Sequence, residues 1–248
     1  MPQTILVLHG YAQNATIFSK RLGAFRKQCG KDIELVFVDA PHIIQPADLR
    51  ANASQTELGA FDPADGRPRR WYDVYRDLTR AIGLDESLVM LRDILKQRTF
   101  DGVFGFSQGA AMAAFLSALL EKPQSCTPFL IDGRPPHPPF KFCVCIAGYR
   151  ITDPLADLVF DPTYATTTLH VIGKNDIVVL EEWTKILLGV SSNKRVEEHD
   201  GGHFVPSKTS WRKFLAAYLL DPLGDIPSPG RGSVSSTPNS GRATPVTF

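Results

Sequence analysis

Gly105-Phe106-Ser107-Gln108-Gly109 places a serine between two glycines at the spacing Gly-x-Ser-x-Gly. Such a serine sits on a sharp strand-to-helix turn, and its hydroxyl stands clear of the sheet as a nucleophile. Holding it there requires a strained backbone, and side chains two positions either way would collide with neighbouring backbone, which glycine avoids. The flanks fit that turn: Phe100 to Phe106 is apolar and aromatic like a buried strand, and Ala110 to Leu120 is a small-residue, apolar helix pattern.

A serine hydroxyl needs a base, and the base needs an orienting acid. Of six histidines, His203 is the best placed, because Asp200-Gly201-Gly202-His203-Phe204 is a glycine-paired loop just after the last strand pattern. His9 reads as structural, His170 and His199 fall within strands, and His42 and His137 lie in proline-flanked loops. Asp176, in Gly173-Lys174-Asn175-Asp176, follows the fifth strand and is the favoured acid; Asp200, Glu198 and Asp153 are its rivals. Ser107, Asp176, His203 is the chain order used by serine enzymes built on an α/β sheet. Developing negative charge needs two backbone N–H donors. One is expected from Gln108 at the start of the elbow helix, the other from Tyr11 in the loop after the first strand. Those two loops meet if the first strand lies beside the third with the second outside it.

The elements that must position these groups alternate. Strand patterns at Thr4 to Leu8, Glu34 to Val38, Asp101 to Phe106, Lys141 to Ala147, Thr168 to Ile172 and Arg195 to His199 are separated by helical patterns. The helices are a segment capped by Asn14 or Thr16 and running to Gln28, then Leu84 to Gln97, the elbow helix to about Glu121, Ile177 to Gly189, and Ser207 to Leu220. This predicts an α/β fold of about six mainly parallel strands with helices on both faces, over residues 1–220. Ala40 to Arg70 has no periodicity and, with the cluster Trp71-Tyr72-Asp73-Val74-Tyr75, reads as a lid or substrate loop over 40–75; the aromatics serve packing or touch substrate. Both suggest an apolar pocket and hydrophobic acyl groups. Lys122 to Pro139 is a proline-rich insertion. From Asp221 to Phe248 Ser, Thr, Pro and Gly dominate, as in a disordered tail. Its Ser228-Pro229, Thr237-Pro238 and Thr244-Pro245 are either proline-directed phosphorylation sites or plain solvated chain.

Composition excludes other classes. A net charge of +1 with scattered Lys and Arg argues against nucleic acid as a partner. No stretch approaches the roughly 20 apolar residues of a membrane span, and no signal segment opens the chain, which points to the cytoplasm. Cys29, Cys126, Cys143 and Cys145 show no metal spacing and read as reduced thiols, so neither metal nor cofactor is expected.

Taken together, LHGYAQN (Leu8 to Asn14), VDAPH running into PADL (Val38 to Leu49), RRWYD (Arg69 to Asp73), GFSQGAAMAA (Gly105 to Ala114), FKFCVCIAGYR (Phe140 to Arg150), GKNDIVV and GGHFVP resemble the FSH family of serine hydrolases, related to the ovarian-cancer-associated hydrolase. The likeness runs from Pro2 to Leu220. It implies a compact α/β-hydrolase fold without the first antiparallel hairpin of larger relatives, the triad Ser107, Asp176 and His203, and esterase or thioesterase activity on a small acyl substrate. Some members act beside fungal polyketide synthases, releasing acyl products. Ala147 departs from the serine expected before the Gly-aromatic pair. A peptidase, or a non-catalytic ligand-binding module on the same fold, are the alternative readings.

Overall fold

The computed structural model describes residues 2–45, 63–74 and 79–229. Six strands form one sheet: β1 (Gln3–Leu8), β2 (Ile33–Val38), β3 (Gly102–Phe106), β4 (Phe142–Ile146), β5 (Thr167–Gly173) and β6 (Lys194–His199). Their spatial order is β6-β5-β4-β3-β1-β2, and every pairing is parallel. The chain leaves β1 for one edge and returns to its other side as β3, so the crevice between β1 and β3 is a topological switch point, as expected.

Both faces of the sheet are buried, and alternate side chains divide between them. Ile5 and Val7 of β1, Phe104 and Phe106 of β3, and Phe142, Val144 and Ile146 of β4 join one core, against α1 (Ala15–Arg21), α2 (Gly23–Cys29) and α7 (Thr209–Leu220). Leu6, Leu8, Val103, Cys143 and Cys145 face the other, against α3 (Leu84–Gln97), α4 (Gln108–Glu121) and α5 (Pro154–Phe160). Leu187 of α6 (Glu181–Val190) joins that second core. Helix α4 is buried along Gln108 to Leu120. Its run of alanines allows this, because a helix enclosed on every side must be apolar and slim all round.

Several boundaries differ from the sequence reading. The helix expected to run to Gln28 breaks at Leu22 into α1 and α2, with Asn14 capping the first by accepting from Ile17 N–H and Gly30 closing the second at φ +63°. The expected Ile177–Gly189 helix starts at Glu181, because Asp176 binds the N–H groups of Val178 and Val179 and bends the chain between. Helix α5 was not anticipated, although Asp153 at its N-cap followed by Pro154 is a start pattern. In the unpatterned loop, His42–Ile43 pairs antiparallel with Arg69–Arg70, tying its two ends together. The rest of that expectation, 46–62 and 75, lies outside the described residues. Within the 122–139 insertion, two single 3₁₀ turns, Pro123–Ser125 and Thr127–Phe129, precede the proline run.

At its near end the segment read as a tail makes contacts with the domain. Residues 221–229 lie along the edge strand β6: Ile226 packs on the core, its carbonyl accepts from Arg195 Nη2 at 2.7 Å, and Ser228 Oγ donates to Glu197 Oε1 at 2.8 Å. One apolar residue and an Arg-Glu pair facing it suffice to anchor a polar segment. Residues 230–248, with Thr237 and Thr244, lie outside the described residues.

Candidate active site

Ser107 links β3 to α4 with φ +52° and ψ −121°, a conformation that L residues rarely adopt. The surroundings impose it. A Cβ on Gly105 would overlap the Gly109 carbonyl, and one on Gly109 would overlap the carbonyls of Leu8 and His9. Ser107 N–H is fixed to Ile146 O at 2.9 Å, and its carbonyl accepts from the N–H groups of Ala110 and Ala111.

His203 Nε2 lies 2.9 Å from Ser107 Oγ, and His203 Nδ1 lies 2.8 Å from Asp176 Oδ2. Ionised Asp176 can only accept, so Nδ1 carries the hydrogen and Nε2 is left to accept the serine proton. The side chains of His203 and Asp176 are 2% and 4% exposed. Burial alone would raise the Asp176 pKa. Hydrogen bonds from His203 and from Val179 N–H and Val178 N–H outweigh it and hold the carboxyl below its ordinary value. Phe106 lies against the imidazole, with ring centroids 4.9 Å apart. The three residues singled out from sequence therefore form one hydrogen-bonded line.

The rival residues are occupied elsewhere. Asp200 is exposed and pairs with Lys174, Glu198 is exposed, and Asp153 caps α5 while accepting from Ala81 N–H. His9 is buried and neutral: Nδ1–H donates to Gly10 O, Nε2 accepts from Ala40 N–H, and desolvation brings its pKa to about 4. It ties the end of β1 to the end of β2. His137 likewise accepts from Phe100 N–H, and His42 donates to Gly83 O. His199 accepts from Gly201 N–H and packs on Trp211 and Phe204. Buried His170 leaves Nε2 unpartnered, with a pKa lowered to about 3 by desolvation and then by Lys194.

The loop after β1 reaches the nucleophile as expected. A Cβ on Gly10 would stand 3.3 Å from Ser107 Cβ and 3.0 Å from the Phe106 ring. Gly10 N–H is taken by Gln13 Oε1, so the next residue, Tyr11, is the donor candidate on this loop. Gln108 opens α4, where the first N–H groups have no intrahelical acceptor.

Sequence reasoning missed what the Gln108 side chain does. Its Oε1 accepts from Trp71 N–H at 2.8 Å and its Nε2 donates to Tyr72 O at 2.9 Å, clamping the aromatic segment across the elbow. Trp71 Nε1 donates to His9 O, and Tyr72 OH hydrogen-bonds Tyr149 OH. Trp71 and Tyr72 are 0% and 1% exposed, so of their two expected roles the structure gives them packing. The cleft beside His203 has a different lining, about 310 Å³ between α1–α2 and the loop 203–207. Phe18, Leu22, Phe25, Phe106 and Val205 form its apolar surface, and Arg21 and Arg212 line it as well. No metal-binding cluster of His, Cys, Asp or Glu occurs among the described residues. The four cysteines are unbridged.

Residues 1–215 match the family model "Serine hydrolase (FSH1)". The chain belongs to this serine hydrolase family. It is 32% identical to Esterase OVCA2 of Danio rerio over 88% of this chain and 97% of the relative, and 32% identical to Esterase AAEL000016 of Aedes aegypti over 88% and 76%. Its fold resembles acyl-protein thioesterase 2 of Zea mays, with a TM-score of 0.58 at 22% identity, covering 88% and 94% of the two chains. The molecule is thus an α/β-hydrolase-fold serine hydrolase.

Proposed function

We propose that this serine hydrolase cleaves carboxylic esters or thioesters through an acyl-enzyme on Ser107. The hydrogen-bonded line Ser107–His203–Asp176 carries the reading. His203 Nε2 takes the Oγ proton as Oγ bonds to the acyl carbon, and the carbonyl electrons move to oxygen. The Tyr11 and Gln108 N–H groups receive that oxyanion, at the switch-point loop and the start of α4. The C–O or C–S bond then breaks, and Nε2 returns the proton to the departing alcohol or thiol. Water, deprotonated by His203, attacks the acyl carbon and frees the acid and Ser107. Asp176 remains ionised, holding the tautomer and balancing the imidazolium.

The relatives named as esterases support an ester substrate, and the apolar cleft lined by Phe18, Phe25 and Phe106 supports hydrophobic substituents. We place the enzyme in the cytoplasm, in keeping with its unbridged cysteines. Among the described residues no helix is long and apolar enough to cross a membrane. Parallel assays on a 4-nitrophenyl ester, a thioester and an anilide of one acyl group test the reading. Ester or thioester turnover that vanishes in Ser107→Ala is expected. Anilide cleavage at a matching rate would make the molecule an amidase, and no turnover with tight ester binding would make it a binding module.

A further inference from the structure

The cleft beside His203 carries charge of one sign. Arg21, in the last turn of α1, and Arg212, in the first turns of α7, both line it, and no Asp or Glu does. Among the described residues Arg21 makes no ion pair or hydrogen bond. Arg21 is exposed, and the partial burial by its neighbours lowers its pKa, so a cation without an acidic partner stands beside an apolar surface. Arg212 is held in place by donating to Ser207 O and Thr209 Oγ1, and has no acidic partner among the described residues. A guanidinium has five donors in a planar fork. Two such groups lining one cleft, without carboxylates among the lining to neutralise them, suit the oxygens of a carboxylate or phosphate.

The part of the substrate that meets this cleft follows from the proton path. His203 Nε2 must protonate the leaving atom, so the leaving group lies on the His203 side of Ser107. The cleft is walled by His203, by the residues 204–207 that follow it, and by Arg212. The oxyanion donors lie at the crevice between β1 and β3.

Building on the hydrolase reading above, we propose that Arg21 and Arg212 form a specificity subsite for an anionic alcohol or thiol leaving group. The preferred substrates are then esters or thioesters whose leaving group carries an apolar spacer over Phe18, Phe25 and Phe106 and ends in a carboxylate or phosphate. The acyl group need carry no charge.

Matched substrates separate these terms. Butyrate esters of 4-hydroxyphenylacetate, 4-hydroxybenzylphosphonate and neutral 4-hydroxyphenylacetamide share an acyl group and have similar phenol leaving groups. The readout is the ratio of kcat/KM for each anionic ester to the neutral one, in which general losses of activity cancel. The wild type is expected to favour an anionic ester by about tenfold, the scale of one charge-assisted hydrogen-bond pair. The carboxylate and phosphonate arms tell which anion is preferred. The ratio should fall several-fold in Arg21→Gln and in Arg212→Gln, approach one in the double variant, and drop below one in Arg21→Glu. A wild-type ratio near one, or a preference that survives in the double variant, would overturn the subsite while leaving the hydrolase intact. So would a preference found only between 4-nitrophenyl hemisuccinate and 4-nitrophenyl butyrate, where the charge is on the acyl side. Failure of the wild type to turn over any of the three esters would instead remove the hydrolase reading and the subsite with it.

Discussion

At the scale of single residues, the tautomer of His203 depends on its Asp176 partner. Asp176 holds Nδ1–H, so Asp176→Asn would offer an amide donor that can reverse the tautomer. A loss of about 10⁴ in kcat is expected, the size of effect seen when a triad acid loses its charge. Steady-state kinetics checks this, and a loss below tenfold would mean that another carboxylate orients the base. Gln108, whose backbone N–H we propose as an oxyanion donor, also binds Trp71 and Tyr72 through its side chain. In Gln108→Leu the buried Trp71 N–H and Tyr72 C=O lose their partners, at about 1–3 kcal/mol each. Urea unfolding should report a loss of at least about 2 kcal/mol, and an unchanged midpoint would show that the clamp contributes nothing. The residue types Ser, Asp and His were legible because their chemistry restricts them to few positions. The side-chain role of Gln108 was not, since an amide next to a serine looks the same whether or not a distant segment binds it.

At the scale of elements, the elbow works because the start of α4 lies so close to β3 and to the end of β1 that only hydrogen fits on Gly105 and Gly109. Gly109→Ala puts its methyl against the backbone carbonyls of Leu8, at the end of β1, and of His9, which Trp71 Nε1 binds. Such overpacking costs about 3 kcal/mol or more. The melting temperature is expected to fall by roughly 6 °C or more, and a variant melting like the wild type would contradict the packing. The strands and the long helices could be read from their periodicity. Their order could be read from the need to bring the Gly10–Tyr11 loop to Ser107. The break at Leu22 and the late start of α6 could not, because the hydrophobic periodicity runs on through both; in the second the Asp176 carboxylate binds the nearby N–H groups of Val178 and Val179, which periodicity does not encode. Composition left the aromatic segment between packing and substrate contact for a related reason. Trp71 and Tyr72 have the composition of a binding wall, but fully paired polar tips let them sink into the core.

At the scale of the whole molecule, buried neutral histidines tie stability to pH. The folded pKa values of His9 and His170 are about 4 and about 3, both below the unfolded value. Between that unfolded value near 6.5 and the folded ones, only the unfolded chain takes up the protons. Stability is therefore full above about pH 6.5 and falls as the pH is lowered. By pH 5 each group withdraws about 2 kcal/mol. Urea unfolding of His170→Leu should recover stability at pH 5 relative to wild type by more than it does at pH 8. Equal differences at the two pH values would refute the linkage. The tail belongs to this scale as well. Composition alone gave a solvated segment from Asp221, whereas Arg195, Glu197 and the core hold 221–229 on the sheet edge. Ending the chain after Leu220 should lower the melting temperature, whereas Arg195 and Glu197 keep their partners if it ends after Pro229. Equal melting of the two truncations would show that the docked segment adds no stability. The central claim, that the line from Asp176 through His203 makes Ser107 a nucleophile, is tested most directly by intact-protein mass spectrometry after reaction with a fluorophosphonate. The account predicts one phosphonyl adduct, located on Ser107 by peptide mapping and absent from Ser107→Ala. An adduct that persists in that variant, or none on the wild type, would contradict it.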